Sequence, residues 1–412
     1  MKKLVSFLFS ILFGFSVFGQ NFGLEMISHN QDYAGFNNLF LLDGKIWAST
    51  MSNGPIYFDG ATWHYINQPI SQGTGRIHGI KKADGTAFVA HHTSAKGYVW
   101  NNTITNFDFF ATAMTFVAKS FVLAENKIYV CTHKRTNDDN KAHLYLWDGA
   151  SSGAKIAERQ DVSFMDMYVK SENNVLILSE NAVSQDVLSE NKLLRYNGSE
   201  LVDLYSFDLD RGSVTRIWSN DKNIFFILTY GGDVYRWDDS SSQMTKIYSY
   251  TSEDHWMFNS GIICTNNENV FIYGESGVKH IKVSTGESDV LYMDWNEPKV
   301  LSGYYDKYSN RALFCNLGGA LFELTGLTSV DQIDISSKMA VYPNPAVDRL
   351  SINFPVRGQK SVAIYNVIGA QIMSSNFFED NSEVDISALP TGMYILKVNT
   401  SEGIASKKFI KK

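Results

Sequence analysis

The sequence predicts an all-β chain, and three observations predict it. The 412 residues are 44% apolar and 14% aromatic, enough to bury a large core. Gly, Asn, Asp and Ser recur in short clusters between β-branched and aromatic runs, the composition of many short strands joined by tight turns. A short apolar run recurs as KIWAST, AFVAHH, KIYVCT, NVLILS, NIFFIL, NVFIYG and RALFCN. Anchored at Ile46, Phe88, Ile128, Val175, Ile224, Val270 and Ala312, these copies are separated by 42, 40, 47, 49, 46 and 42 residues. That period suits four-stranded propeller blades, so a seven-bladed β-propeller is expected over residues 20–326.

Each unit repeats one internal order. An apolar run such as NNLFLL or VTRIW leads through an Asp/Asn/Gly turn (LDGK, NDKN) into the anchored run. A variable loop follows, then a third run ending in an aromatic and a turn: PIYFDG, GYVWNN, LYLWDG, LLRYNG, DVYRWDD. A more polar fourth run, such as ATWHYI or QMTKIY, completes the unit. One such sheet cannot cover both its faces, whereas stacking units radially buries them and leaves short edges. The last unit ends near Leu324 without a fourth run, and FGLEMIS (22–28) has no unit of its own. That segment is expected to supply the missing outer strand. The aromatic-then-Asp/Asn-Gly signature, clearest in IWASTMSNGPIYFDGATWHYI, resembles blades of two-component-regulator-type and WD-like propellers. The resemblance implies the fold and no activity.

The ends differ from the middle. Lys2 and Lys3 precede the apolar run Leu4–Phe18, too short for a comfortable membrane span, with Val17 and Gly19 suited to cleavage. Residues 1–19 are therefore expected to be a signal peptide, with no transmembrane segment remaining after its removal. After a linker expected at 327–339, residues 340–412 carry a new texture of alternating strands and Asn/Gly turns, a small Ig-like β-sandwich. Pro343 and Pro345 are expected to fix an extended entry, and Gly369 and Gly392 to occupy turns where positive φ is cheap. YPNP (Tyr342, Pro343, Asn344, Pro345), YNVIG (365–369), LPTGMYILKV (389–398) and the Lys-rich end together resemble the type A sorting domain of the type IX secretion (Por) system of Bacteroidota. The resemblance implies passage through the periplasm, recognition by the outer-membrane translocon, and a chain secreted or held on the outer cell surface. It makes these tail residues an address.

Charge narrows the partners. Formal net charge is −7; with Lys2 and Lys3 in the leader and eight Lys/Arg against six Asp/Glu in 340–412, the stretch Gln20–Met339 carries −11. Such a body does not displace counterions from phosphates, so no nucleic acid is expected as partner. Cys131, Cys264 and Cys315 lie in apolar runs and read as small buried hydrophobes, with a Cys264–Cys315 bridge or a reactive thiol as the alternatives. No GxSxG, HExxH, P-loop or CxxC pair occurs, so no catalytic residue, metal or cofactor is assigned. DLDRGS (208–213) lacks the spaced ligands of a calcium loop.

Propellers present ligands at one mouth, between second and third strands and between blades. There the sequence collects the candidate binding residues Arg76, His91, His92, His133, Arg135, Asp254, His255, Trp256 and Trp295, with Asp210, Arg211 and Asp294 nearby. Adjacent strand residues face opposite ways, so His91 and His92 share an ion only where the strand has ended. The loops at 132–143 and 179–191 are the longest there, and long loops on a rigid scaffold carry recognition. The expected function is a monomeric, non-enzymatic binding or adhesion module for a polysaccharide or surface protein. The alternative is an extracellular carbohydrate-active hydrolase or lyase with paired carboxylates at the mouth.

Overall fold

The computed structural model describes residues 22–30, 36–42, 45–50, 54–65, 77–82, 85–90, 96–100, 104–108, 117–124, 127–133, 140–147, 153–181, 190–209, 212–250, 260–275, 277–293, 299–307, 309–327, 335–356, 360–367, 371–377, 379–400 and 403–412. Strand β1 (Gly23–His29) comes first. Six four-stranded antiparallel sheets follow in chain order. They are β2–β5 (Phe36–Leu42, Lys45–Thr50, Gly54–Phe58, Trp63–Tyr65), β6–β9 (Ile77–Lys82, Gly85–Ala90, Lys96–Trp100, Ile104–Asp108) and β10–β13 (Val117–Ala124, Lys127–Thr132, Lys141–Trp147, Ala154–Gln160). Next come β14–β17 (Ser163–Ser171, Asn174–Asn181, Glu190–Tyr196, Leu201–Phe207), β18–β21 (Val214–Trp218, Ile224–Thr229, Val234–Asp238, Gln243–Tyr248) and β22–β25 (Gly261–Cys264, Asn269–Gly274, Gly277–Lys282, Ser288–Met293). Strands β26–β28 (Val300–Asp306, Arg311–Asn316, Ala320–Thr325) build a seventh sheet, and β1 takes its outer place. Gly23 there lies opposite Thr325 and His29 opposite Ala320. Each sheet's first strand touches the next one's, and β26 touches β2, so the ring closes. This is a β-propeller, with its N-terminal strand pinning the last sheet.

The apolar runs are continuous because the second strands whose side chains are described are covered on both sides. Along β15, Val175 and Ile177 pack with Tyr129 and Leu144 of the preceding sheet, while Leu176 and Leu178 pack with Phe225 and Trp237 of the following one. The alternation recurs in β19, where Phe225 and Ile227 face back and Phe226 and Leu228 face forward. It recurs again in β27, where Phe314 meets Phe271, and Leu313 and Cys315 meet Phe36 and Leu39. A period of two that is apolar on both phases reads as an unbroken run. Each large side chain so enclosed contributes about 1.5–3 kcal/mol relative to exposure. Cys131, Cys264 and Cys315 are buried free thiols, and burial pushes Cys264 and Cys315 far above the usual thiol range.

Polar groups bind blade to blade. Asp166, 1% exposed, accepts the Met167 amide at 2.9 Å and, across the blade boundary, the Ile217 amide at 3.1 Å. Ser302 repeats the move, its hydroxyl accepting the Leu39 amide at 3.1 Å. Both residues follow a bulge in a first strand, which turns their side chains toward the neighbour. Asp239 takes ion pairs from Lys170 and Arg195 of the preceding blade and the Trp237 indole N–H at 3.0 Å. Burial alone would raise that carboxyl, but these donors hold it below the usual range.

The aromatic-Asp/Asn-Gly signature is turn chemistry. Asp59 Oδ1 accepts the amides of Ala61 and Thr62 at 2.9 and 2.8 Å, and Gly60 adopts φ +100°. Asn197 and Gly198 repeat it, with the Ser199 and Glu200 amides both at 3.0 Å and φ +98°.

The C-terminal unit is a two-sheet β-sandwich. One sheet holds β29 (Ala340–Tyr342), β30 (Arg349–Asn353) and β33 (Asn381–Asp385). The other runs β32-β31-β34-β35, with β31 Lys360–Asn366, β32 Gln371–Phe377, β34 Gly392–Thr400 and β35 Gly403–Lys411. Leu350, Ile352, Ile364, Leu396, Val398 and Phe409 fill the space between. Ile335 and Met339, expected in the linker, are buried in this same core. The Ile335 amide donates to Ile404 O at 2.8 Å, and Ser336 begins a 3-10 turn. The packed unit therefore includes residues five places ahead of 340, because its core needs those two side chains. Among the described residues no helix is long and apolar enough to cross a membrane.

Candidate functional site

In sheets joined in series, the connections from second to third strand and from blade to blade fall at one end of the ring. Of the predicted binding residues, His133 is described: it lies just past the end of β11 and is partly buried. Arg76, His91, His92, Arg135, Asp254, His255, Trp256 and Trp295 lie outside the described residues, as do Asp210, Arg211 and Asp294. The structure therefore does not bring the nine together into a described pocket. Among the described residues no three His, Cys, Asp or Glu are placed to hold a metal ion.

Other chemistry at this end escaped the sequence reading. Glu180, near the end of β15, has its carboxyl pushed above the usual range by burial, against the opposing pull of a hydrogen bond with Ser213. Tyr230 is exposed, and Gly212, with φ +73°, leaves room beside it where a Cβ would stand 3.0 Å from the Tyr230 Cβ. Asp233 is held by the Tyr250 amide at 2.9 Å and by Lys246 Nζ at 2.7 Å, and Glu275 pairs with Lys299. The signal available was TYGGD (229–233), a Gly-Gly turn between an aromatic and a carboxylate at a second-to-third connection. Its shortness keeps it from standing out by loop length.

The C-terminal unit offers a site whose strands are described. Its last strand, β35, is an edge strand, and edges left open invite pairing. Here the chain around the YPNP segment covers it. The Asn344 side chain accepts the Ile410 amide at 2.9 Å and donates to Lys408 O at 3.1 Å, as a neighbouring strand would. Ala346 continues the cover: its amide donates to Ile410 O and its carbonyl accepts from Lys412, each at 2.8 Å. Ser336 Oγ accepts the Ser406 amide at 2.8 Å further along. In the LPTGMYILKV run, Leu389 is buried, the Tyr394 hydroxyl donates to Pro390 O at 2.8 Å, and the ring stacks on Phe409 at 5.6 Å.

Residues 340–412 match the family described as Secretion system C-terminal sorting domain. The tail is an address for export by the type IX secretion system, to the cell surface or the medium. The Tyr342–Pro343 and Asn344–Pro345 peptide bonds are cis. One detail of the sorting tail corrects the sequence reading. Gly392 opens β34 opposite Lys411 with no positive φ, and a Cβ there would meet the Tyr394 ring at an ordinary 3.7 Å; Gly369 lies outside the described residues.

Similar solved structures agree on the propeller. PorZ, a bacterial surface component of the type IX secretion system of Porphyromonas gingivalis, aligns at TM-score 0.54 and 12% identity over 94% of this chain and 61% of its own. The extracellular domain of a hybrid two component system from B. thetaiotaomicron aligns at TM-score 0.53 and 13% identity, over 95% of this chain and 58% of its own. The WD40 β-propeller domain of Doa1 aligns at TM-score 0.52 and 12% identity, over 74% and 97%. This chain thus spans about three-fifths of the two bacterial structures. No curated protein matches the sequence.

Proposed function

We propose that this chain is a non-enzymatic binding protein of the bacterial exterior, a seven-bladed propeller over 20–326 that engages a polysaccharide or a surface protein at its mouth. A leader, residues 1–19, starts the export that the tail completes. The observation that carries this reading is the joining of a closed propeller to a separate sorting tail with its own core. PorZ, a surface component, and the two component system's extracellular domain share the fold and lie outside the cell, which supports the placement. At the mouth end, lysines hold Asp233 and Glu275, so neither of these two carboxylates stands ready as the acid or base a glycosidase needs.

The test uses the purified full chain and its Arg76→Ala/His92→Ala/Trp256→Ala form. Retention on insoluble chitin, cellulose and peptidoglycan, and on outer-membrane fragments, is measured by pull-down, with a thermal melt for each protein. The native chain should be retained on one of these surfaces, and the triple variant should lose at least tenfold with an unchanged melt. Equal retention of both forms counts against the mouth, and release of reducing ends from a retained polysaccharide counts against a non-enzymatic role.

A further inference from the structure

The sorting tail must be read by something, and its two sheets differ in charge. Strands β31, β32, β34 and β35 carry no Asp or Glu; of their lysines, Lys360 and Lys411 are buried, and Lys397 and Lys408 stand at the outward positions. Glu383 and Asp385 stand on the opposite sheet, in β33. The outer face of the basic sheet is also apolar where one would expect polar residues. Met393 is 41% exposed and lies opposite Ile410, 45% exposed; Ile395, also 45% exposed, sits in a cross-strand row between Tyr365 and Lys408. Lys397 follows in the next outward position of β34. Their neighbours in the strand, Tyr394, Leu396 and Val398, are the ones the core uses. Folding therefore has no need of Met393, Ile395 and Ile410, and three large apolar side chains grouped on one sheet face cost solubility.

The edge of this sheet gives the same direction. Asn344, Ala346 and Ser336 already bond to edge groups of β35 at Ser406, Lys408 and Ile410, which leaves little of that strand for a partner to add to. What remains presented is the face.

We propose that Tyr365, Met393, Ile395 and Ile410, flanked by Lys397 and Lys408, form the docking surface of the tail, and that its occupant is a protein of the secretion machinery apolar at its contact centre and acidic around it. This rests on the reading of 340–412 as the export address. Apolar residues supply the affinity of such a contact, and the lysines steer and orient an acidic partner.

The experiment follows export of the full chain from a bacterium with this secretion system, comparing medium and cell surface with periplasm. Ile395→Glu and Lys397→Glu/Lys408→Glu chains are compared with Arg349→Glu, a 73% exposed position on the opposite sheet. A chain lacking 335–412 reports on the address itself, and melts of the variants recovered from the periplasm show that the tail is folded. Ile395→Ser, which loses the apolar contact without adding charge, stands in should the glutamate chain melt early. The face variants should be exported at least tenfold less and the Arg349→Glu chain normally. Normal export of Ile395→Glu, or of a folded Ile395→Ser, overturns the surface, as does an equal loss in Arg349→Glu. Normal export of the truncated chain overturns the address instead, which separates the two failures.

Discussion

Asp239 and Glu180 are carboxylates with opposite pH signs, and both signs follow from what surrounds them. The Asp239 carboxyl is depressed by Lys170, Trp237 and Arg195 despite its burial, so its stabilisation is present above the unfolded carboxylate range and is lost as pH falls through the folded value. Asp239→Ala strands two cations beside a blade boundary and should cost about 3–5 kcal/mol at pH 7, read by denaturant titration. Much of that cost should vanish as pH falls below the ordinary carboxylate range, where the native carboxylate itself becomes protonated. The Glu180 carboxyl is raised by burial, so ionising it in the fold is unfavourable, and stability is lost as pH rises through the carboxylate range. Glu180→Gln should therefore raise the melting temperature at pH 7 and leave it unchanged at pH 4. A lower melt at pH 7 would show Glu180 serving as a structural anion. Neither residue could be singled out from sequence. Asp239 acts through Lys170 and Arg195, 69 and 44 positions away, and Glu180 through burial, which has no local signature.

At the scale of elements, most strands were legible because the propeller buries second strands on both faces and writes them as unbroken apolar runs. The turns were legible because Asp59 and Asn197 must supply their own acceptors. The outer place of β1 was legible as an arithmetic gap, a strand without a blade facing a blade without a strand. The cover over β35 was not, since Asn344 gains its meaning from Lys408 and Ile410, more than sixty residues on. Two consequences can be measured. Removing residues 20–29 should leave the β28 edge open and lower the melting temperature by more than ten degrees, with concentration-dependent aggregation; an unchanged monomeric melt would mean β1 closes nothing. Asn344→Ala removes two hydrogen bonds to β35 and should cost the tail about 1–2 kcal/mol, with amide exchange quickened at Ile410 first. Asn344→Asp keeps one acceptor and loses the donor, so it should restore protection at Ile410 and leave the Lys408 carbonyl without its partner.

The whole molecule joins an acidic body to a basic-faced tail through the stretch 327–334. We propose that the tail is removed on export, and the packing limits where the cut can fall. Ile335 and Met339 belong to the tail's core, and the Ile335 amide is bonded to Ile404 O, so a cut beyond 335 would have to open that core. A cut before about 327 would approach β28, whose pairing with β1 closes the ring. Mass spectrometry of the exported native protein should therefore find a C-terminus between 327 and 334, and an N-terminus at Gln20, cyclised or free. Widening the stretch with a Gly-Ser insert after Leu327 should leave both export and processing intact, because neither packed unit is touched. Replacing Ile335 and Met339 together by Ser should loosen the tail's N-terminal edge and scatter the cut to positions beyond 335. A native end beyond 339 would show instead that these two residues are not held against the tail when the chain leaves the cell, and that the body departs carrying them.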